Sequence, residues 1–105
     1  MRFVETSIFT RVITDLIDDE SYGGLQLALM LRPTQGPVMK GSSGLRKLRW
    51  ATPGAGKRGG VRIIYYWAPA EAAFYMLYAY SKNEQGDLTP AQTRRLGQLV
   101  REEFK

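Results

Sequence analysis

The chain has no cysteine and no histidine among its 105 residues. The first absence excludes a disulfide framework, a thiol nucleophile and thiolate metal ligands. The second leaves carboxylates alone for metal coordination, and it means that any general base must be something other than imidazole. Long apolar runs are missing too. The longest stretches, such as 63–69, fall far short of the roughly 20 residues that span a bilayer, and Met1-Arg2-Phe3 opens no secretory signal. The expectation is a soluble, cytoplasmic protein with no membrane, metal or cofactor, folded as a single domain over 1–105 around one core.

A further absence is local. Between 32 and 70 there is no acidic residue, while Arg32, Lys40, Arg46, Lys47, Arg49, Lys57, Arg58 and Arg62 all fall there. Residues 1–31 carry a net negative charge and 71–105 are balanced, so the overall +5 is concentrated in one segment. A local cationic excess is the footprint of a polyanion-binding face. The plainer alternative is a solvated face whose acidic neighbours come from elsewhere in the fold.

What is present reads as α+β in the order β-α-α-β-β-β-α. Residues 2–6 suggest a first strand. Phe9, Val12, Ile13, Leu16 and Ile17 follow the i, i+3, i+4 rule of a core-facing helix. Asp18 or Asp19 caps a second helix that reaches Leu31 and is closed by Arg32-Pro33. Its residues Leu25, Leu27, Ala28, Leu29, Met30 and Leu31 are apolar nearly all round. Either the helix is sandwiched inside its own core, or a partner covers one side. Residues 33–44 are rich in Pro, Gly and Ser and read as a mobile loop, as do 53–60. The β-branched and aromatic runs 45–51, 61–68 and 74–81, separated by glycine- or proline-bearing turns, predict three consecutive antiparallel strands. Thr89-Pro90-Ala91-Gln92 matches a capping box, and Leu96, Leu99, Val100 and Phe104 form the stripe of a last helix. Helices are expected on one face of an antiparallel-rich sheet, with the other face partly open.

Gly54-Ala55-Gly56-Lys57-Arg58-Gly59 matches G-x-G-x-x-G in form, but a strand follows it rather than a helix, so dinucleotide binding is rejected. It also fails as a P-loop: Arg58 stands where Ser or Thr is required, and Ala51 where the upstream Gly is required. The segment reads as a cationic hairpin tip whose Lys57 and Arg58 can meet phosphates. Alternation along the strand puts Lys47 and Arg49 on one face and Leu48 and Trp50 on the other, with Arg46 at the strand's start. Hairpin pairing then gathers Lys47, Arg49, Arg62 and Lys82. Tyrosines interleave with these charges as they do on surfaces that stack unpaired bases, and Tyr66 and Tyr80 are candidates for that role. Trp50, Tyr65 and Trp67 are assigned to the core.

Gly44-Leu45-Arg46-Lys47-Leu48-Arg49, the run Gly56-Lys57-Arg58-Gly59-Gly60-Val61-Arg62-Ile63-Ile64-Tyr65-Tyr66, and Tyr80-Ser81-Lys82-Asn83-Glu84 with Asp87-Leu88-Thr89 together resemble the RelE superfamily of bacterial toxins, in its HigB-type branch. The resemblance runs over nearly the whole chain. It implies the toxin of a type II toxin-antitoxin system: a metal-independent endoribonuclease that cuts mRNA in the A site of the 70S ribosome and is neutralised by a cognate antitoxin protein. In such toxins the ribose 2′-hydroxyl attacks the adjacent phosphate. The resemblance therefore implies catalytic roles for Lys47, Arg49, Arg62 and Lys82 and RNA contacts for Arg46, Lys57, Arg58, Tyr66 and Tyr80. Arg49 and Arg62 suit a phosphate clamp, and a lysine crowded by other cations, Lys47 or Lys82, suits a base. The chain departs from RelE itself at Lys82-Asn83, where RelE carries Lys-Arg. Two alternatives stand beside this reading: a gyrase-poisoning toxin of the ParE type, against which the cationic cluster argues, and a non-catalytic basic RNA-binding module.

Overall fold

The computed structural model describes residues 1–51, 60–82 and 84–103. The three predicted strands are present as β2 (Arg46–Trp50), β3 (Val61–Ala68) and β4 (Ala73–Ser81), and β2–β3 and β3–β4 are antiparallel. A short 3₁₀ turn, Pro69–Glu71, joins β3 to β4. The first strand, β1 (Arg2–Glu5), lies parallel to β4, with Phe3 opposite Phe74, so the sheet order is β1-β4-β3-β2. Thr6 fixes where the chain leaves this edge. Its hydroxyl donates to the Leu77 carbonyl at 2.9 Å and accepts from the Phe9 N–H at 3.1 Å, capping helix α1 (Ser7–Leu16).

Helix α2 (Asp19–Leu31) starts at Asp18, whose carboxylate accepts from the Ser21 N–H at 2.7 Å, with Asp19 and Glu20 in the first turn where the helix dipole favours negative charge. Phe9 and Ile13 of α1 and Leu25 and Leu29 of α2 are buried against Leu48, Val61, Ile63, Tyr65, Phe74 and Met76. Trp50 and Trp67 pack at the margin of this core, and Tyr65 sits within it. The sandwiched α2 is not found: Leu27, Met30 and Leu31 are 54%, 39% and 73% exposed on its outer side. One layer of helix over one sheet face cannot bury a helix that is apolar all round. No helix among the described residues is long and apolar enough to cross a membrane.

The expectation that all helices share one face is also corrected. Helix α3 (Pro90–Glu103) packs on the opposite face, where Val100, Leu96 and Leu99 meet Ile64, Tyr75, Leu77, Tyr80 and Leu88. The reason lies in β3 and β4, which are apolar on both faces: Ile63, Ile64 and Tyr65 in succession are fully buried. Strands of that kind need cover on both sides. The pairing slips between Ile64 and Tyr65, opposite Tyr78 and Met76, which leaves Leu77 as the extra residue of a bulge. The predicted capping box forms in both directions: the Gln92 N–H donates to Thr89 Oγ1 at 3.1 Å and the Thr89 N–H to Gln92 Oε1 at 2.9 Å. Phe104 lies outside the described residues, as do residues 53–59 of the 53–60 turn.

Residues 33–44 have no regular element beyond one bridge at Val38, yet they are tied down rather than loose. The Met39 N–H donates to the Leu45 carbonyl at 2.7 Å and the Lys47 N–H to the Pro37 carbonyl at 3.1 Å. The Tyr65 hydroxyl donates to the Pro33 carbonyl and accepts from the Gly36 N–H. Ser42 is buried in this loop directly under α3: a Cβ built on Gly97 would stand 2.9 Å from the Ser42 carbonyl oxygen. In an open helix Gly→Ala stabilises by about 1 kcal/mol. Here Gly97→Ala is expected to destabilise by about 1–3 kcal/mol, because the obstacle is backbone. Urea unfolding checks the sign, and a stabilised variant would refute this packing.

Candidate nucleic-acid interface

Alternation and register assemble the cluster. Arg49 of β2 is directly opposite Arg62 of β3, which is directly opposite Tyr80 of β4, so the three form a row across the sheet on the face that α3 partly covers. With strands ~4.8 Å apart, the row spans only ~10 Å. Lys47, two residues before Arg49, shares this face in the next row, opposite Ile64. Lys82 continues β4 past Tyr80, and its N–H donates to the Gly60 carbonyl at 3.3 Å. Gly60 has φ +121°, and a Cβ there would come within 3.1 Å of the Trp50 carbonyl oxygen and 3.8 Å of the Arg62 guanidinium. Glycine therefore leaves room for both the turn and the arginine.

Arg62 is the unusual member. Its side chain is only 8% exposed, and like charge faces it across the strand pair at Arg49. Among the described residues the only two ion pairs are Arg2–Glu71 and Lys47–Asp87, so Arg49, Arg62 and Lys82 have no carboxylate within pairing distance. No described side-chain nitrogen is both fully buried and unpartnered. Like charges directly opposite each other on a sheet are destabilising unless an anion is bound between them.

Lys47 is not crowded by cations alone, as the lysine-base expectation required. Its Nζ pairs with Asp87 Oδ1 at 3.2 Å. That same oxygen accepts from the Leu88 N–H at 2.8 Å and from the Tyr80 hydroxyl at 3.3 Å. The Leu88 N–H first, then Lys47, hold the Asp87 carboxyl below the usual carboxylate range. Burial, then the charge of Asp87, push the Tyr80 phenol up to about 12. Tyr80 thus keeps its proton at neutral pH. Because its folded value lies above the ordinary one near 10, the stability linked to it is complete below about pH 10 and lost as pH rises through about 12. In a titration followed at 295 nm, Tyr80→Phe is expected to remove one late-titrating tyrosine.

The remaining predicted residues are scattered. Arg46 points to the other face, where its guanidinium donates to the carbonyls of Thr34 at 3.1 Å and Gly36 at 2.8 Å, bracing the loop. Tyr66 shares the face of Arg62 but lies four residues along β3, beside Gly44 and opposite Tyr75. Tyr80 is 5% exposed, and its ring stacks on that of Tyr78 at 6.1 Å, so it offers an edge and a hydroxyl rather than an open platform. Lys57 and Arg58 lie outside the described residues. A cleft of about 620 Å³ among the described residues, lined by Ile8, Tyr78, Arg95, Leu96 and Leu99, holds none of the predicted residues. A face that reads a phosphate backbone does not require a deep cleft.

Asp87 is the site residue that alternation and charge counting missed, because an acid in a loop 40 residues from Lys47 has no periodic signal. Its cues were its place in the Asp87-Leu88-Thr89 segment of the resemblance and its position two residues ahead of the capping-box Thr89. No protein-family model matches the chain.

Proposed function

We propose that this chain is a toxin of the RelE superfamily, HigB-type branch, acting as a ribosome-dependent endoribonuclease on mRNA in the A site. The observation that carries the reading is Arg62, a nearly buried arginine opposite Arg49 with no carboxylate partner among the described residues. Such a pair has a use for an anion that a purely structural sheet does not supply.

In the reaction the 2′-oxygen gives up its proton and bonds to phosphorus, and the bond to the 5′-oxygen breaks as that oxygen takes a proton. The products are a 2′,3′-cyclic phosphate and a 5′-hydroxyl. Arg49 and Arg62 meet the extra negative charge of the pentacoordinate phosphorus with paired donors. Tyr80, in one row with Arg49 and Arg62, is the hydroxyl placed to supply the leaving-group proton. Lys82, which has no carboxylate partner among the described residues, is the lysine left to take the 2′ proton. Lys82→Arg keeps the charge while removing an acceptor, and it is expected to lose cleavage while retaining ribosome binding.

The antitoxin partner is supported by the exposed stripe of Leu27, Met30 and Leu31 on α2, three large apolar side chains on adjacent turns. The test of function is cell-free translation of a defined mRNA. Cleavage within the reading frame that requires ribosomes is the expected result; intact mRNA with translation undisturbed sinks the reading.

A further inference from the structure

Asp87 does more at this face than neutralise a lysine. Its Oδ1 collects three donors: the Leu88 N–H at 2.8 Å, Lys47 Nζ at 3.2 Å and the Tyr80 hydroxyl at 3.3 Å. The first anchors the carboxylate to its own turn ahead of α3. The other two come from β2 and β4, the strands on either side of Arg62 in β3. One atom therefore places an ammonium and a phenol within two hydrogen bonds of each other, alongside the Arg49–Arg62 pair. Both side chains would otherwise be free to turn, Lys47 about its four-carbon stem and the Tyr80 hydroxyl about its C–O bond.

We propose that Asp87 is a positioning residue of the cationic face, holding the Lys47 ammonium and the Tyr80 hydroxyl where a scissile phosphate is to lie while itself touching no reacting atom. The assignment rests on reading that face as an RNA-cleaving surface. A carboxylate held by three donors is a poor proton acceptor at neutral pH, and a negative charge repels the phosphate, so neither a base nor a phosphate ligand accounts for it. What remains is geometry. Side chains in near-attack alignment are worth large factors in rate, and misplacement by about 1 Å costs about a hundredfold.

These opposing effects give a signature that a merely structural residue lacks. Asp87→Asn removes a negative charge from a polyanion-binding face, so ribosome and mRNA association is expected to be unchanged or tighter. It also removes the charged brace, so single-turnover cleavage of mRNA on programmed ribosomes is expected to slow by about 10–100-fold. Asp87→Glu, which restores the charge, is expected to recover part of the rate. Thermal melts of each variant are run alongside. Cleavage at the wild-type rate or faster overturns the assignment, as does cleavage lost in step with binding and with melting temperature. Wild-type protein that binds programmed ribosomes without cutting mRNA overturns the reading of the face, and the assignment with it. That outcome is scored on the wild type, so the two failures are distinguishable.

Discussion

Arg62→Ala is expected to reduce mRNA cleavage by about 10²–10³-fold, the cost of removing one preorganised donor from a developing oxyanion, and to abolish growth arrest on induction. The fold is expected to survive. Arg62 is 8% exposed, yet no described carboxylate depends on it and Arg49 opposes it, so removing the charge relieves repulsion while it opens a small space. Removing a charge that is nearly buried and repelled by its neighbour recovers its desolvation cost, which offsets the packing lost with the side chain. A melting temperature equal to or above wild type beside lost cleavage is therefore the predicted pairing. Arg62→Lys is expected to restore little, because an ammonium lacks the planar fork that engages two phosphate oxygens. Full cleavage by the alanine variant would remove Arg62 from the chemistry.

Phe74→Ala is expected to cost about 3–5 kcal/mol, the range for deleting a buried aromatic from a core. Phe74 is fully buried on the α1–α2 side of β4, its ring 4.8 Å from that of Phe3, 4.5 Å from Trp67 and 6.1 Å from Tyr65. It therefore joins β1, β3 and β4 at once. Domains of this size have about 5–15 kcal/mol in all, so the variant is expected to unfold at much lower urea, while Phe74→Leu keeps most of the volume and loses less. A loss below about 1 kcal/mol would contradict the central place given to this ring cluster.

What the sequence disclosed and what it withheld divide along physical lines. Period-2 alternation put Lys47 and Arg49 on one face and Leu48 and Trp50 on the other, and the structure has them so. The Thr89–Gln92 capping box was legible, and the cap of α2 was narrowed to Asp18 or Asp19, because each is a local contact between residues three apart. The stripe of α3 was legible as a stripe, but not the face it covers, since Leu96 and Val100 record burial without direction. The place of β1 beside β4 was equally hidden, because a pairing 71 residues apart leaves no local mark. Residues 33–44 looked loose by composition. Their order comes from distant partners, the Tyr65 hydroxyl and the closeness of α3 at Gly97.

The site was legible in its charges and not in its counter-charge. Counting sign along the chain found Arg49 and Arg62, hairpin register brought them to one face, and Lys82 joined them from its place after the third strand. It also admitted Arg46, whose donors go to carbonyls on the far side of the sheet. Asp87 required the tertiary fold, and with it the picture of Lys47 as a lysine among cations gives way to a lysine held by a carboxylate.

The most direct test of the account is the mapping of new transcript 5′ ends after induction of wild-type protein and of Arg62→Ala in parallel. The account predicts ends within translated frames that carry a 5′-hydroxyl, present with the wild type and absent with the variant. Growth arrest without such ends, or the same ends from both proteins, would contradict it.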